Sequence, residues 1–128
     1  MSKNTALTEL SCYNNQLKEL DVSKNLKLKE LHCDNNQMTV LDVSKNKELL
    51  LLNCNKNQLT TLILPKRGVC NSLDCSMNQI KGKSMDVLVE SLPNVSEKQL
   101  KVIFIINEQN KMSRKQVAAA KAKGWIPQ

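Results

Sequence analysis

The pattern of apolar and polar positions repeats every 21 residues through the first two-thirds of the chain. Set in register, the units read LTELSCYNNQL, LKELHCDNNQM, LLLLNCNKNQL and CNSLDCSMNQI, and they begin at Leu7, Leu28, Leu49 and Cys70. A degenerate fifth unit, VIFIINEQNKM, begins at Val102. A fixed period of this length is typical of solenoids, in which each repeat packs mainly on its neighbours. The pattern therefore predicts a stack of similar turns.

Each unit contains a leucine, one intervening residue and then a cysteine, an alternation that predicts a short strand. In such a strand the two apolar side chains point to one side and their neighbours to the other. Successive units then form a parallel sheet with strands about 4.8 Å apart. The second half of each unit, KELDVSKN and TVLDVSKN in the first two and TTLILPKRG in the third, returns the chain over the core.

Cysteine and asparagine recur at equivalent positions of the units. The cysteines are Cys12, Cys33, Cys54 and Cys75, and the asparagines are Asn15, Asn36, Asn57, Asn78 and Asn110. A buried thiol behaves as a small hydrophobe, and an interior amide can satisfy the backbone N–H and C=O groups of a turn. We interpret both rows as structural ladders of the core, and we expect Cys70, at a leucine position, to be buried as well.

With these residues in register, the chain resembles the bacterial leucine-rich repeat family. All four units fit L-x-x-L-x-(L/C)-x-x-N-x-L, and the cysteine rows resemble the 21-residue class found in internalin J-like surface proteins. The match is strong over about residues 2–83 and weaker beyond. The resemblance implies an α/β fold, a curved right-handed solenoid with its parallel sheet on the concave face. It also implies a place on exported or cell-surface bacterial proteins that bind other molecules, and no catalytic residues.

We expect residues 1–83 to form the repeats and residues 84–128 to form the degenerate fifth repeat and a mixed helix and strand cap. A first helix is predicted to be capped by Ser84 and to end before Pro93. Its predicted buried face consists of Met85, Leu88, Val89 and Leu92. A second helix is predicted from the capping box of Ser113 and Gln116, ending at Gly124 before an edge strand at Trp125–Ile126.

The first residues of the chain also follow the repeat. Ser2-Lys3-Asn4 lies 21 residues before Ser23-Lys24-Asn25, so the chain starts inside a repeat. We take as a hypothesis that it is a fragment of a longer exported protein. The alternative is end-to-end self-association through the layer of Leu7, Leu10 and Cys12.

Charge and aromatic content narrow the classes of partner. The 128 residues include 19 Lys and Arg and 12 Asp and Glu, a formal charge of +7, but only three aromatic residues. Nucleic-acid binding favours a basic stripe with stacking aromatics, whereas here the basic residues are dispersed, so we expect no nucleic-acid partner. Glycan binding through aromatic platforms is disfavoured for the same scarcity. No apolar run approaches the length of about 20 residues needed for a membrane span.

The outward positions of the predicted strands are polar and acidic. Unit by unit they are Glu9, Ser11 and Tyr13; Glu30, His32 and Asp34; Leu51, Asn53 and Asn55; Ser72, Asp74 and Ser76; and Phe104, Ile106 and Glu108. Five are carboxylates and none is Lys or Arg. We predict that this face binds a protein or peptide of basic character. Glycan binding and a purely structural spacer remain alternatives.

Catalytic and metal chemistry find little support in the sequence. Zinc requires ligands that converge at about 2.3 Å, whereas the ladder places its sulfurs in a line. His32 is the only histidine and has no adjacent nucleophile, and no glycine-rich phosphate loop is present. A cation held by Glu9, Glu30, Asp34 and His32 remains an alternative. We otherwise predict a non-enzyme with no cofactor and no metal.

Overall fold

The computed structural model describes residues 3–94 and 110–128 in full, and residues 101–104 by their backbone. The elements in this part of the chain are β1 (Glu9–Ser11), β2 (Glu30–His32), β3 (Val40–Asp42), β4 (Leu51–Asn53), β5 (Thr61–Ile63), β6 (Ser72–Asp74), α1 (Gly82–Ser91), β7 (Lys101–Phe104), α2 (Arg114–Ala122) and β8 (Trp125–Pro127). Neither helix is long and apolar enough to cross a membrane.

The main sheet has the strand order β1-β2-β4-β6-β7-β8, and every neighbouring pair is parallel. Leu10, Leu31, Leu52 and Leu73 are register partners across the first four strands. The prediction of a parallel-sheet α/β solenoid with a helix and strand cap is therefore confirmed. The predicted alignment of the fifth unit is wrong by two residues at its strand: β7 places Ile103 opposite Leu73, where the alignment put Ile105, and Phe104 opposite Asp74.

A second, two-stranded sheet lies in the returning half of the repeats. β3 and β5 pair in parallel, and Val40, Leu41 and Asp42 lie opposite Thr61, Leu62 and Ile63. The repeat pattern predicts only a return of the chain here. Leu41 and Val43 are buried, while Val40 and Asp42 are exposed. The apolar Leu41 and Val43 on either side of Asp42 were the signal in the sequence that could have predicted a strand.

The core is built from the repeated apolar positions, stacked rung on rung. Its members include Leu28 and Leu49 with Cys70; Leu31, Leu52 and Leu73; Cys33, Cys54 and Cys75; Met38, Leu59 and Ile80; and Leu41 and Leu62. Each of these side chains is at most 2% exposed. Leu7, Leu10, Cys12 and Leu20 of the first unit are only partly buried. Position along the stack therefore changes the burial of equivalent residues.

The asparagine row satisfies backbone groups of two successive turns. The Asn57 Nδ2 donates to the carbonyl oxygens of Cys33 and Cys54 at 3.1 and 3.2 Å, and its Oδ1 accepts from the Met38 N–H at 3.1 Å. Asn110 continues the row, with its Nδ2 donating to the Cys75 carbonyl at 2.8 Å. Asn15 differs from the expectation of an interior amide: it is exposed and donates to carbonyl groups of its own turn.

A second asparagine row, which the sequence analysis missed, lies in the returning halves. Asn25 and Asn46 are fully buried. The Asn46 Nδ2 donates to the carbonyl oxygens of Val22 and Asn25 at 3.0 and 2.8 Å, and the Asn25 Nδ2 donates to the Asn4 carbonyl. Repetition of V-S-K-N was the available signal. The row has no asparagine at position 67, where LPKRG replaces this motif.

The helix α1 packs against β5, but it begins earlier than predicted. Its N-cap is Lys81, without a side-chain cap hydrogen bond, so the prediction of Ser84 as the cap is wrong. Gly82, with a φ of +56°, lets the chain turn into the helix three residues sooner. The predicted apolar face of α1 is buried, and Pro93 follows its end.

The helix α2 has the predicted capping box. The Ser113 N–H donates to Gln116 Oε1 at 2.7 Å, and the Gln116 N–H donates to Ser113 Oγ at 3.3 Å. Gly124, with a φ of +84°, follows the helix and leads into β8. The Lys123 Nζ donates to three carbonyl oxygens at the end of α1, and the Trp125 Nε1 donates to the Pro93 carbonyl at 2.8 Å. These bonds fasten the cap elements to each other.

Candidate functional site

The polar side chains flanking the inward leucines form one continuous surface, which we call the sheet face. Strand register places Glu9, Glu30, Leu51 and Ser72 in one row, and Ser11, His32, Asn53 and Asp74 in a second. Equivalent residues after each strand form a third row, Tyr13, Asp34, Asn55 and Ser76. The structure therefore brings the sequence-predicted binding residues of four units onto one side of the sheet.

The residues that follow the third row hold an unusual backbone conformation. Asn14, Asn35, Lys56 and Met77 all have φ between +50° and +55°. Asparagine tolerates this left-handed region better than other residues with a Cβ. The Asn35 Nδ2 also donates to Asn14 Oδ1 of the neighbouring turn. This repeated turn sets the direction in which the chain leaves the sheet face.

The part of the sheet face at β4 and β6 is held by internal hydrogen bonds. The Asp74 carboxylate accepts from Asn55 Nδ2 at 2.8 Å, from the Ser76 N–H at 3.0 Å and from Ser76 Oγ at 2.6 Å. The Asn53 Oδ1 accepts from the Asn55 N–H at 3.3 Å. These polar groups are positioned before any partner arrives, and the charge of Asp74 is already solvated by the protein.

The part at β1 and β2 carries carboxylates without a matching cation. Glu9 and Glu30 are exposed register partners on adjacent strands. Among the described residues, the ion-pair contact at this face joins Glu30 Oε2 to His32 Nε2 at 4.0 Å, and it carries opposite charges only when His32 is protonated. Asp34 lies in the third row, at the repeat position equivalent to Tyr13, and the Tyr13 side chain is 51% exposed. This half of the face therefore presents negative charge and an aromatic ring to solvent.

The cysteine row lies beneath the sheet face, and its buried thiols have low reactivity. Cys33, Cys54 and Cys75 are buried and, like the other two cysteines, free of disulfides. Burial is the main cause that raises the pKa of each of these three thiols, and neighbouring acidic groups add to it. Because the thiolate is the reactive form, these cysteines supply no nucleophile to the face. Cys12 is only partly buried, and burial followed by the charge of Asp34 raises its pKa.

The cation alternative gains no geometric support. Within residues 3–94 and 110–128, no three His, Cys, Asp or Glu side chains are grouped so as to hold a metal ion. The carboxylates of Glu9, Glu30 and Asp34 therefore do not converge with His32 on one point. Of the fifth unit, the Phe104 side chain, Ile106 and Glu108 lie outside the described residues.

A second concave feature, which the sequence analysis missed, lies on the returning halves of the first two units. We call it the return groove; it is lined by Glu19, Leu20, Asp21, Val40 and Asp42. Asp21 and Asp42 each accept a backbone N–H two residues on, at 2.9 and 2.8 Å. The side-chain and backbone hydrogen bonds of Ser23 lower the pKa of Asp21. The repeated L-D-V-S of the two units was the signal for these paired acidic turns.

Similarity to known proteins is found among the solved structures. No protein-family model and no curated protein matches the chain. The chain is similar to the functional domain of InlJ from Listeria monocytogenes, described as including a cysteine ladder. The identity is 23%, the TM-score is 0.42, and the alignment covers 93% of this chain and 34% of that one. The chain thus spans about a third of the length of the InlJ domain.

Proposed function

We propose that this chain is a non-catalytic binding module that recognises a basic protein segment or peptide through the sheet face. One observation carries the proposal: Glu9, Glu30 and Asp34 lie on one side of the sheet, and no Lys or Arg stands in its three rows. Adjacent like charges disfavour the free state slightly, so a bound cation relieves a repulsion as well as adding an attraction.

The chemistry of the face suggests how a partner is held. A guanidinium or ammonium group would lie between the register partners Glu9 and Glu30, and Tyr13 offers an exposed ring for stacking or cation–π contact. The hydrogen-bonded Asn55 and Asp74 would meet the partner as fixed polar groups. Side chains that are already ordered lose little conformational entropy on binding, which favours affinity.

We infer that the chain is part of a cysteine-class leucine-rich repeat protein exported by a bacterium. Four cysteines and five asparagines in register support this assignment. The fold itself is a repeat solenoid, and such solenoids offer extended surfaces suited to binding.

Charge reversal tests the proposed site. The probe is a labelled octapeptide of alternating Arg and Ser, titrated by fluorescence anisotropy. Glu30→Lys with Asp34→Lys is expected to weaken its binding by about tenfold or more, and the unfolding midpoint is expected to stay nearly unchanged because both groups reach solvent. Glu48→Lys with Glu90→Lys, which changes the net charge equally at exposed positions away from the sheet face, is the matched control.

The peptide titration with the two double variants can either support or contradict binding at the sheet face. A loss of peptide binding confined to the Glu30 and Asp34 variant supports recognition at the sheet face. The difference in affinity between this variant and the unchanged chain should also become smaller when salt is added. Equal losses in the two variants would show general charge attraction and contradict the proposal. Unchanged binding in both variants would leave the spacer alternative as the better account of this face.

A further inference from the structure

The outer edge of β1 is open at the first turn of the solenoid, residues 7–22. β1 is an end strand of the main sheet and pairs with β2 on its other side. One turn on, the Glu30 N–H donates to the Thr8 carbonyl at 3.1 Å, and the His32 carbonyl accepts a backbone N–H of the first turn at 2.8 Å. The equivalent Glu9 N–H and Ser11 carbonyl therefore face the outer edge, where the described residues place no strand. Such an edge can accept a further strand.

The apolar layer behind this edge is covered on one side only. In the second turn the equivalent side chains are fully buried, whereas in the first turn they are half-buried: Leu7, Leu10, Cys12, Leu17 and Leu20. Exposed carboxylates flank two of these leucines, since Glu9 precedes Leu10, and Glu19 and Asp21 stand on either side of Leu20. Lys18 is the one basic residue among positions 7–22. The first turn thus presents an apolar surface with an acidic border.

The last turn, which consists of α2 and β8, has the opposite charge. On one side of α2 the Gln116 Nε2 donates to the Gly82 carbonyl and to Asp86 Oδ1 of α1. The helical spacing puts a groove on the other side of α2, lined by Met112, Arg114, Val117, Ala118 and Lys121. Met112 and Val117 are half-buried there, and the two cations are exposed. Residues 110–128 contain five basic residues and no acidic one.

The two ends of the solenoid complement each other. Because every pair in the main sheet is parallel, β1 of a second copy can follow β8, the other end strand, without a change of strand direction. The acidic border of the first turn then meets Arg114 and Lys121, and its leucines meet Met112 and Val117. Pro127 of β8 has no N–H, so the side chains supply more of this contact than in an inner pair. Pairing of two first turns would instead bring like charges together.

We propose that the chain binds a second copy of itself head to tail, with the first turn of one copy on the last turn of the next. The two surfaces are different, so the contact is heterologous and each joined pair keeps one free surface of each kind. The assembly therefore grows by adding further copies. The sheet faces of joined copies lie on the same side and form one longer surface, whatever that surface binds.

A charge swap tests the contact. One variant reverses the first turn with Glu9→Lys and Glu19→Lys, and another reverses the last turn with Arg114→Glu and Lys121→Glu; all four side chains are exposed. Sedimentation velocity over a range of concentrations is expected to show dimers and longer assemblies of the unchanged chain. Each variant by itself is expected to need about tenfold or more protein for the same degree of assembly, because like charges then face each other. An equal mixture of the two variants is expected to assemble as the unchanged chain does, because each contact then joins opposite charges.

A matched variant and the mixture make the outcomes distinct. Glu48→Lys with Glu90→Lys gives the same net charge as the reversed first turn and is expected to assemble as the unchanged chain does. An unchanged chain that stays monomeric, or a mixture that does not assemble, would overturn the proposal. Assembly of the variant with the reversed last turn by itself would overturn it too, because it would show that first turns pair with each other.

A lysine in the apolar layer tests the packing of the contact. Leu17→Lys is expected to weaken assembly by about tenfold or more, because an ammonium group would be buried between the copies. Leu26→Lys, at a leucine that is 57% exposed, is expected to leave assembly unchanged. Circular dichroism checks that both variants are folded, and the charge swap decides the proposal if Leu17→Lys is not. Equal assembly of the two folded variants would overturn the proposed contact of the first turn.

Discussion

The first and last turns of the solenoid bury equivalent core positions to different extents. Leu10 and Cys12 of the first unit are partly buried, whereas Leu52 and Cys54 in the middle are at most 1% exposed. At the other end α1, α2 and β8 cover the stack, and Trp125 there is 1% exposed. The comparison shows that a side chain in a solenoid is buried by the turns on both sides of it, so its place in the stack matters as much as its identity.

The largest expected effect separates a middle turn from the first turn. Leu52→Ala is expected to lower the free energy of unfolding by about 3 kcal/mol, because it removes a buried side chain and leaves a cavity. Leu10→Ala is expected to cost about 1 kcal/mol, since part of that side chain already contacts water. Urea unfolding followed by circular dichroism measures both, and equal losses would contradict the role of the neighbouring turns.

A smaller effect is expected along the asparagine row. Asn78 accepts from the Leu59 N–H at 2.9 Å and donates to the Cys54 and Cys75 carbonyl oxygens at 3.0 Å. Asn78→Ala is expected to cost about 2 kcal/mol, because these backbone groups become buried without partners. Asn15→Ala is expected to cost well under about 1 kcal/mol, since water can replace the exposed amide. Urea unfolding measures both losses of unfolding free energy, and equal losses would contradict the difference in burial between Asn78 and Asn15.

The smallest expected effect is a dependence on alkaline pH. Burial raises the pKa of the Cys54 thiol above its ordinary value of 9.0, so the neutral thiol is favoured in the folded chain. The stabilisation is complete below pH 9 and is lost as the pH rises further, because the unfolded chain releases the proton first.

Cysteine variants isolate this contribution from that of lysine and tyrosine. Cys54→Ala is expected to flatten the fall in unfolding free energy between pH 9 and 10 by on the order of 1 kcal/mol, whereas Cys12→Ala is expected to flatten it less. The partly buried Cys12 needs less energy to ionise in the folded chain. Urea midpoints measured at both pH values report the two slopes, and identical slopes would contradict the difference in burial.

Much of the architecture followed from the 21-residue period. The alternation around Leu31 and Leu52 predicted the main sheet, and the capping box at Ser113 predicted the second helix. The start of α1 did not follow, because Ser84 satisfies the rule for a cap while Gly82 provides the positive φ that turns the chain earlier. Two local signals compete at this helix end, and the backbone geometry at Gly82 sets the boundary.

The sheet face and the return groove differ in how far the sequence predicted them. Strand alternation placed Glu9 and Glu30 outward, and the structure shows them as register partners. The repeated L-D-V-S could have predicted the acidic turns of the return groove but not its strand, because Glu19–Asp21 and Val40–Asp42 belong to similar sequence units yet only the latter forms a strand. Whether two similar segments pair depends on the turns stacked around them.

The sequence by itself determined the repeat, the inward face of each strand and the two ladders, since these depend only on side-chain type and spacing. Only the tertiary structure decided which turns are fully buried and which backbone is constrained. Asn14 and Asn35 suit a positive φ, but Lys56 and Met77 adopt the same conformation because their neighbours in the stack do. Hydrogen bonds and packing between rungs impose one geometry on every turn, and that outweighs the local preference of a single residue.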